Sequence, residues 1–353
     1  MSATYPLLDL LKHKYPAIAA CPQATAWLKQ QVNFGLAQNT LAAYARGLEC
    51  YLQFSATAEI VVEAATHMQI GNYVRELLSR KKAVTRFDGI ADSDRGLSNA
   101  TLQQRLTVVR LFYDYLVEEG VSPNNPVGRV SQGKSGEFGA VGGRILLPRY
   151  RKLPWIPNDE QWQAILAAAR QEPLRNRLMF VLAYDAPLRR EELCSLQTGD
   201  IDPARRLLRI RAETTKNHCE RVVPYAETTG LLLAAWLRER RALSRAPGAL
   251  FLSTSPRNRA QPISIWTWSK AVAQLAARAE VKQFTTHTPR HLCLTDLARA
   301  GWDIHEIATF AGHRSIQTTL LYIHLSGREL ADKLARGMSQ IHAWRTAALG
   351  STA

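Results

Sequence analysis

Long apolar runs are missing from this 353-residue chain. No stretch approaches the roughly 18–20 apolar residues that a membrane-crossing helix needs, so no membrane partner is expected. Cysteine is scarce: Cys21, Cys50, Cys194, Cys219 and Cys293 are scattered and odd in number. That excludes a disulfide framework and a Cys-x-x-Cys metal site, and it fits a reducing, cytoplasmic setting. The opening MSATYPLLDLLKHKYP has no basic start followed by an apolar block, so no secretory signal is expected. Walker A spacing, a Gly-rich nucleotide loop and an Asp/Glu cluster for Mg²⁺ are all absent from the sequence, so no cofactor is expected. Acidic residues are in deficit, with 30 Asp and Glu against 45 Lys and Arg, a net charge of +15. A basic surface favours a polyanion, most often nucleic acid.

What is present divides the chain. Its length exceeds what one core of up to about 250–300 residues serves, so two domains are expected. Residues 1–130 show helical spacing and no strand alternation. In NTLAAYARGLECYLQF, Asn39 or Thr40 suits an N-cap, and Leu41, Tyr44, Leu48 and Leu52 recur on one face. HMQIGNYVRELLSRK follows the same period, as does LSNATLQQRLTVVRLFYDYLVEEG, which Gly120 stops. Residues 131–154 hold five glycines and two prolines and read as a linker. The basic residues of its second half, Arg144, Arg149, Arg151 and Lys152, suit either a solvated tether or one running along a phosphate backbone.

A second domain, 155–353, begins with Asn158 or Asp159 capping EQWQAILAAAR. Helical pattern runs to Leu196, with breaks at Pro173 and Pro187. RLLRIRA and ERVVPY read as two short strands joined by ETTKNHC. Helices are predicted over 227–242, 264–280, 288–300, 303–310 and 315–325, and in the tail beyond Gly327. The fold class is therefore mainly α with a small β-sheet, α+β.

Four segments carry chemistry-bearing residues. In DAPLRREELCSLQTGDID, Pro187 suits a first helical position and Gly199 a helix end, which puts Arg189 in a first turn where an anion is favoured. Glu192 stands three residues on, placed to orient it; an exposed Arg/Glu surface is the commoner use of such a string. Lys216 sits on the strand-to-strand turn, either solvated or reaching over a ligand. In TTHTPRHLCLTDLARAG, Thr288 suits an N-cap and Arg290 a first turn, between His287 and His291. The histidine pair lacks the glutamate of a zinc-protease helix, and Arg290 between them repels a cation. An anion site of Arg290 and His287 fits better. In AGHRSIQTTLLYIH, Ile316, Leu320 and Ile323 share one expected core face. Tyr322 falls beside it with Thr318, and its hydroxyl is free to enter a cleft faced by His313.

Two arginines, a hairpin lysine, histidines and an off-core tyrosine suit one phosphate. Arginines clamp it bidentately, and a nucleophile and an acid act on either side. This ordered set resembles the tyrosine recombinase (phage integrase) family. LRREEL is similar to its first arginine box, TKNHCERVVP to its hairpin lysine segment, HTPRH to its His-x-x-Arg box, and GHRSIQTTLLY to the box of the last histidine and nucleophile. TLAAYARGLECYLQF and the helix ending before NP resemble its N-terminal core-binding domain, so the likeness spans roughly residues 20–330. Pro187, Pro289 and Phe310-Ala311 depart from the usual box residues, and none of these departures removes a catalytic group.

The resemblance implies a helical core-binding domain and a catalytic domain clamping double-stranded DNA. It implies a site-specific recombinase, of a mobile genetic element, working as a homo-tetramer, alone or joined by a related recombinase or a DNA-bending protein. By the same resemblance Tyr322 attacks a phosphate to form a 3′-phosphotyrosine. Arg189 and Arg290 clamp its oxygens, His313 binds it, His287 is the base and Lys216 protonates the leaving 5′ oxygen. Neither metal nor ATP is required, and the surrounding positive charge is expected to favour the phenolate. A type IB topoisomerase shares this chemistry, a Xer-type resolvase of chromosome dimers shares the fold, and a basic regulator on a decayed scaffold is the non-enzymatic alternative.

Overall fold

The computed structural model describes residues 13–80, 97–127, 153–215, 217–323 and 345. Lys216, the basic linker residues Arg144, Arg149, Arg151 and Lys152, the side chain of Ile323 and the expected tail helix lie outside the described residues. The chain divides into two compact units, Met1–Arg151 and Lys152–Ala353. Among the described residues no helix is long and apolar enough to cross a membrane.

The first unit is helical: α1 (Pro16–Ala20), α2 (Pro22–Asn33), α3 (Gln38–Thr57), α4 (His67–Ser79) and α5 (Asn99–Glu118). Thr66 and Gln69 close a reciprocal cap on α4, and the Ser98 hydroxyl caps α5. The expected cap at Asn39 or Thr40 is corrected: α3 starts at Gln38, behind Ala37, with no side-chain cap. Its first residues are exposed, which leaves the leading N–H groups open to solvent. Leu41, Leu48 and Leu52 are buried, and Tyr44 stacks on Trp27 at 5.6 Å. Gly47 lets α3 approach α5, since a Cβ there would lie 3.2 Å from Val108 Cγ2. The buried Glu49 accepts the N–H groups of Ala17 (3.1 Å) and Ile18 (2.9 Å), a carboxylate on the positive end of α1. Tyr51 donates to Tyr113 (2.5 Å), which donates to the Val62 carbonyl (2.9 Å).

The second unit opens with α6 (Asp159–Arg170), capped by Asn158 with Gln161. Helix α7 (Leu174–Asp185) buries Leu178, Met179, Leu182 and Ala183 on several sides, as a central helix must. After the short α8 (Arg190–Cys194) come β1 (Ile201–Asp202), β2 (Leu207–Ile210) and β3 (Arg221–Pro224), one antiparallel sheet in that order. Leu208 faces Val223 across the ladder, both buried. Then follow α9 (Glu227–Leu243), α10 (Ile265–Arg278), α11 (Thr288–Arg299), α12 (Ile304–Ala311) and α13 (Ile316–Ile323). Helix α7 packs on α9 and α11, and α11 packs on α12 and α13.

Three local expectations are corrected. Helix α8 starts at Arg190 rather than Pro187, because the Glu192 carboxylate takes the Arg189 N–H (2.9 Å) and makes Arg189 the N-cap. Gly199 lies in a 3₁₀ turn, Thr198–Asp200, rather than ending a helix. Thr288 is the first residue of α11 and His287 its N-cap; the Thr288 hydroxyl instead accepts the Thr285 N–H (2.9 Å). The face of α13 is also rotated. Ile316 is 38% exposed and Thr318 exposed, while Thr319 is 0% and Tyr322 4% exposed. Contact with both α11 and α12 selects that face, so Tyr322 joins a small core with Leu294, Ile307 and Ala311.

Candidate active site

The turn between α12 and α13 is the hub. Gly312 ends α12 in the left-handed region, at φ 64°, where an L side chain is strained. Arg189 Nη2 donates to the Gly312 carbonyl (3.0 Å). Arg290, in the first turn of α11, donates through Nη2 to the Ala311 carbonyl (2.7 Å) and through Nη1 to the Pro187 carbonyl. Asn217, from the turn between β2 and β3, reaches the Gly312 carbonyl at 3.4 Å. Three separate segments therefore fasten onto one turn, and that turn presents His313.

A buried carboxylate organises the cations. Glu192 accepts from Arg189 Nη1 (2.8 Å), and from Arg221 through Nη2 (2.7 Å) and Nη1 (3.1 Å). Burial alone would lift this carboxyl, but the bonds from Arg221 and Arg189 outweigh it and hold it at about 2. Arg221 also lies under Gly312: a Cβ there would stand 2.8 Å from its Nη1. Arg189 and Arg221 bond the carboxylate and Arg290 feels its charge, so the positive charge around it is in excess, which suits an anion. The Arg189 side chain is the more open, at 21% exposed, whereas Arg290 is buried and pushed down to about 10 by that burial and by Arg189.

The histidines and the tyrosine line the other side. His313 Nδ1 pairs with Thr319 Oγ1 (2.9 Å), and its ring lies parallel to that of Tyr322 at 5.9 Å between centroids. Burial and the nearby arginines push His313 down to about 3, so it is neutral at neutral pH. The Tyr322 hydroxyl meets His291 Nδ1 at 2.9 Å. His287 is exposed at the start of α11, its ring 6.3 Å from that of His291. The expected easing of the Tyr322 proton is corrected: burial raises its pKa, and the fields of Arg290 and Arg189 only partly offset this. The described residues hold no group of three His, Cys, Asp or Glu side chains placed as metal ligands, and His287 and His291 form only a pair.

The structure brings Arg189, Glu192, Arg290, His313 and Tyr322 together, with His287 at the margin; Lys216 lies outside the described residues. Two further participants, Arg221 and His291, carry no mark of this role in the sequence. Arg221 stands five residues past the hairpin lysine on a strand, where alternation alone suggests nothing. His291 suggests by spacing only a metal pair with His287, and its place one turn after His287 is the available signal.

The comparisons with known proteins agree with this architecture. Residues 157–329 match the Phage integrase family profile, and residues 28–120 match its N-terminal SAM-like domain. Tyrosine recombinase XerC of Corynebacterium glutamicum is 30% identical over 244 residues, 68% of this chain and 72% of that protein. Tyrosine recombinase XerD of Oceanobacillus iheyensis is 27% identical over 310 residues, 86% of this chain and 93% of that one. In fold, the chain is similar to XerH recombinase in a post-cleavage complex with a palindromic difH substrate (TM-score 0.65, 17% identity, 93% and 94% of the two chains). It is likewise similar to the Tn1549 transposon integrase in complex with transposon right end DNA (TM-score 0.62, 14% identity, 88% and 98%). The chain belongs to the phage integrase family of tyrosine recombinases. It is a site-specific recombinase that breaks and rejoins DNA, with an N-terminal SAM-like domain and a C-terminal catalytic domain.

Proposed function

We propose that this recombinase moves a mobile genetic element, with Tyr322 as nucleophile. The observation that carries the reading is the fastening of Arg189 and Arg290 to the turn that presents His313, next to Tyr322. Arg189 and Arg290 grip the non-bridging oxygens of the scissile phosphate, and His313, neutral and held by Thr319, donates a further bond from Nε2. The Tyr322 oxygen attacks phosphorus, the bond to the 5′ oxygen breaks, and Lys216 supplies the proton to that oxygen. The resemblance gives the base as His287, at the start of α11, whose ring lies 6.3 Å from that of His291. The phosphodiester energy is kept in the 3′-phosphotyrosine, so the reaction needs neither ATP nor metal.

Residues 1–130 act as a core-binding domain, and residues 155–353 as the catalytic domain. The segment between them, 131–154, follows the DNA backbone through Arg144, Arg149, Arg151 and Lys152. Four subunits act on paired double-stranded sites, alone or with a related recombinase or a DNA-bending protein, in the cytoplasm. The likeness to Xer recombinases supports a second reading, resolution of chromosome dimers.

The test starts from the DNA flanking the gene. A mobile element yields an excised circle whose junction, cloned twice in one plasmid, recombines with purified protein. Exchange at one chromosomal site without any excised circle would favour dimer resolution. Relaxation of any supercoiled plasmid, whatever its sequence, would favour a topoisomerase.

A further inference from the structure

We propose that His291 is a catalytic residue, the base that takes the phenolic proton of Tyr322; this rests on the reading of Tyr322 as nucleophile. Among the described contacts of the Tyr322 hydroxyl, the imidazole within hydrogen-bond reach is His291, at 2.9 Å through Nδ1. The pair joins two packed helices, α11 and α13, across 31 residues of sequence. Both partners are held. Thr295 bonds back to the His291 carbonyl (2.9 Å), and Tyr322 is packed between Leu294, Ile307, Ala311 and the parallel His313 ring. A proton acceptor must first lie within about 2.6–3.2 Å of the proton's oxygen, and His291 meets that condition.

The groups facing it keep the imidazole neutral. On α11 these are His287 and Arg290; Tyr322 comes from α13 and His313 from the preceding turn. On the α7 side Tyr184 is bonded to Asp296 (2.7 Å), and α12 contributes the apolar Ile307 and Ala311. Burial first, then His287 and Arg290, push His291 down to about 4. A neutral ring with its hydrogen on Nε2 accepts from the tyrosine at Nδ1.

The step balances. The Tyr322 oxygen forms the bond to phosphorus while its proton passes to His291 Nδ1, giving an imidazolium. The bond from phosphorus to the 5′ oxygen breaks, and its electron pair leaves with that oxygen, which takes a proton from the separate acid. The entering phosphate brings negative charge against Arg189 and Arg290, which eases formation of the imidazolium. Rejoining reverses each transfer, and Tyr322 recovers its proton from His291.

The test follows covalent adduct formation in a single turnover, using a nicked duplex carrying the enzyme's own recombination junction. His291→Asn keeps an acceptor at the Nδ1 position but takes no proton. It is expected to bind DNA normally and to cleave at least about 100-fold more slowly, the scale of general-base catalysis. Its rate should climb about tenfold per pH unit from 7 to 9, as free phenolate grows, while the wild-type rate climbs less. A substrate with sulfur as the 5′ leaving atom needs no acid, so it should restore a Lys216→Ala enzyme and leave His291→Asn slow. A His291→Asn rate within threefold of wild type overturns the proposal, and with Tyr322→Phe inactive the nucleophile reading survives. An adduct in Tyr322→Phe overturns both. If His291→Asn fails to fold, ¹⁵N shifts of the wild-type histidine decide. A bare Nδ1 with a protonated Nε2 supports the assignment, and a protonated Nδ1 overturns it.

Discussion

Replacing Glu192 by glutamine removes one charge from the centre of the site and almost no volume. The carboxylate has no exposed side-chain surface and receives Arg189 and Arg221 together. An ordinary glutamate titrates near 4.5, whereas this one is held at about 2. At about 1.4 kcal/mol per tenfold change, that difference is on the order of 3 kcal/mol of stability. Breaking a buried pair while leaving its cations in place costs about 3–5 kcal/mol. For a unit of this size, about 2–4 °C is lost per kcal/mol. Calorimetry of full-length Glu192→Gln at pH 7 should therefore show the transition of the second unit lowered by roughly 6–12 °C. The pH dependence has a definite sign. The folded-state value is depressed, so the contribution is complete above about 4.5 and drains away as pH falls toward about 2. The gap between wild type and variant should shrink as pH drops from 5 to 3. A lowering under 2 °C at pH 7, or a gap constant with pH, would refute the role given to this carboxylate.

Other outcomes follow from the same contacts. Gly312→Ala places a methyl in the left-handed region and 2.8 Å from Arg221 Nη1, so urea unfolding should show a loss of at least about 2 kcal/mol. Arg290→Lys cannot serve the Pro187 and Ala311 carbonyls and also grip a phosphate. Adduct formation should fall by at least about 100-fold, with DNA affinity by gel shift changed little. In the first unit, Tyr113→Phe leaves the Tyr51 hydroxyl and the Val62 carbonyl each one partner short, and should cost about 1–3 kcal/mol in denaturant unfolding.

The amphipathic helices and strands are legible because each buries one face at its own period. Leu41, Leu48 and Leu52 mark α3, and Leu208 and Ile210 mark β2. The ends were less legible, because tertiary partners override local preference. Pro187 suits a helix start, yet the Glu192 carboxylate on the Arg189 N–H moves the start to Arg190. The buried face of α13 is hidden in the sequence for a similar reason. Apolar spacing favours Ile316, but the helix meets α11 and α12 through Thr319 and Tyr322. Arg189, Arg290, His313 and Tyr322 were picked out by box order, and their gathering about one turn is a packing fact. Arg221 and His291 were hidden because their partners lie 29 and 31 residues away, on elements whose contact no spacing rule specifies.

The central claim is that Tyr322 makes the covalent bond to DNA. Mass spectrometry of the adduct trapped on a nicked duplex, after proteolysis, reads this directly. The account predicts a 3′-phosphotyrosyl nucleotide on Tyr322 and no adduct from Tyr322→Phe. An adduct on another residue, or one that persists in Tyr322→Phe, would contradict it.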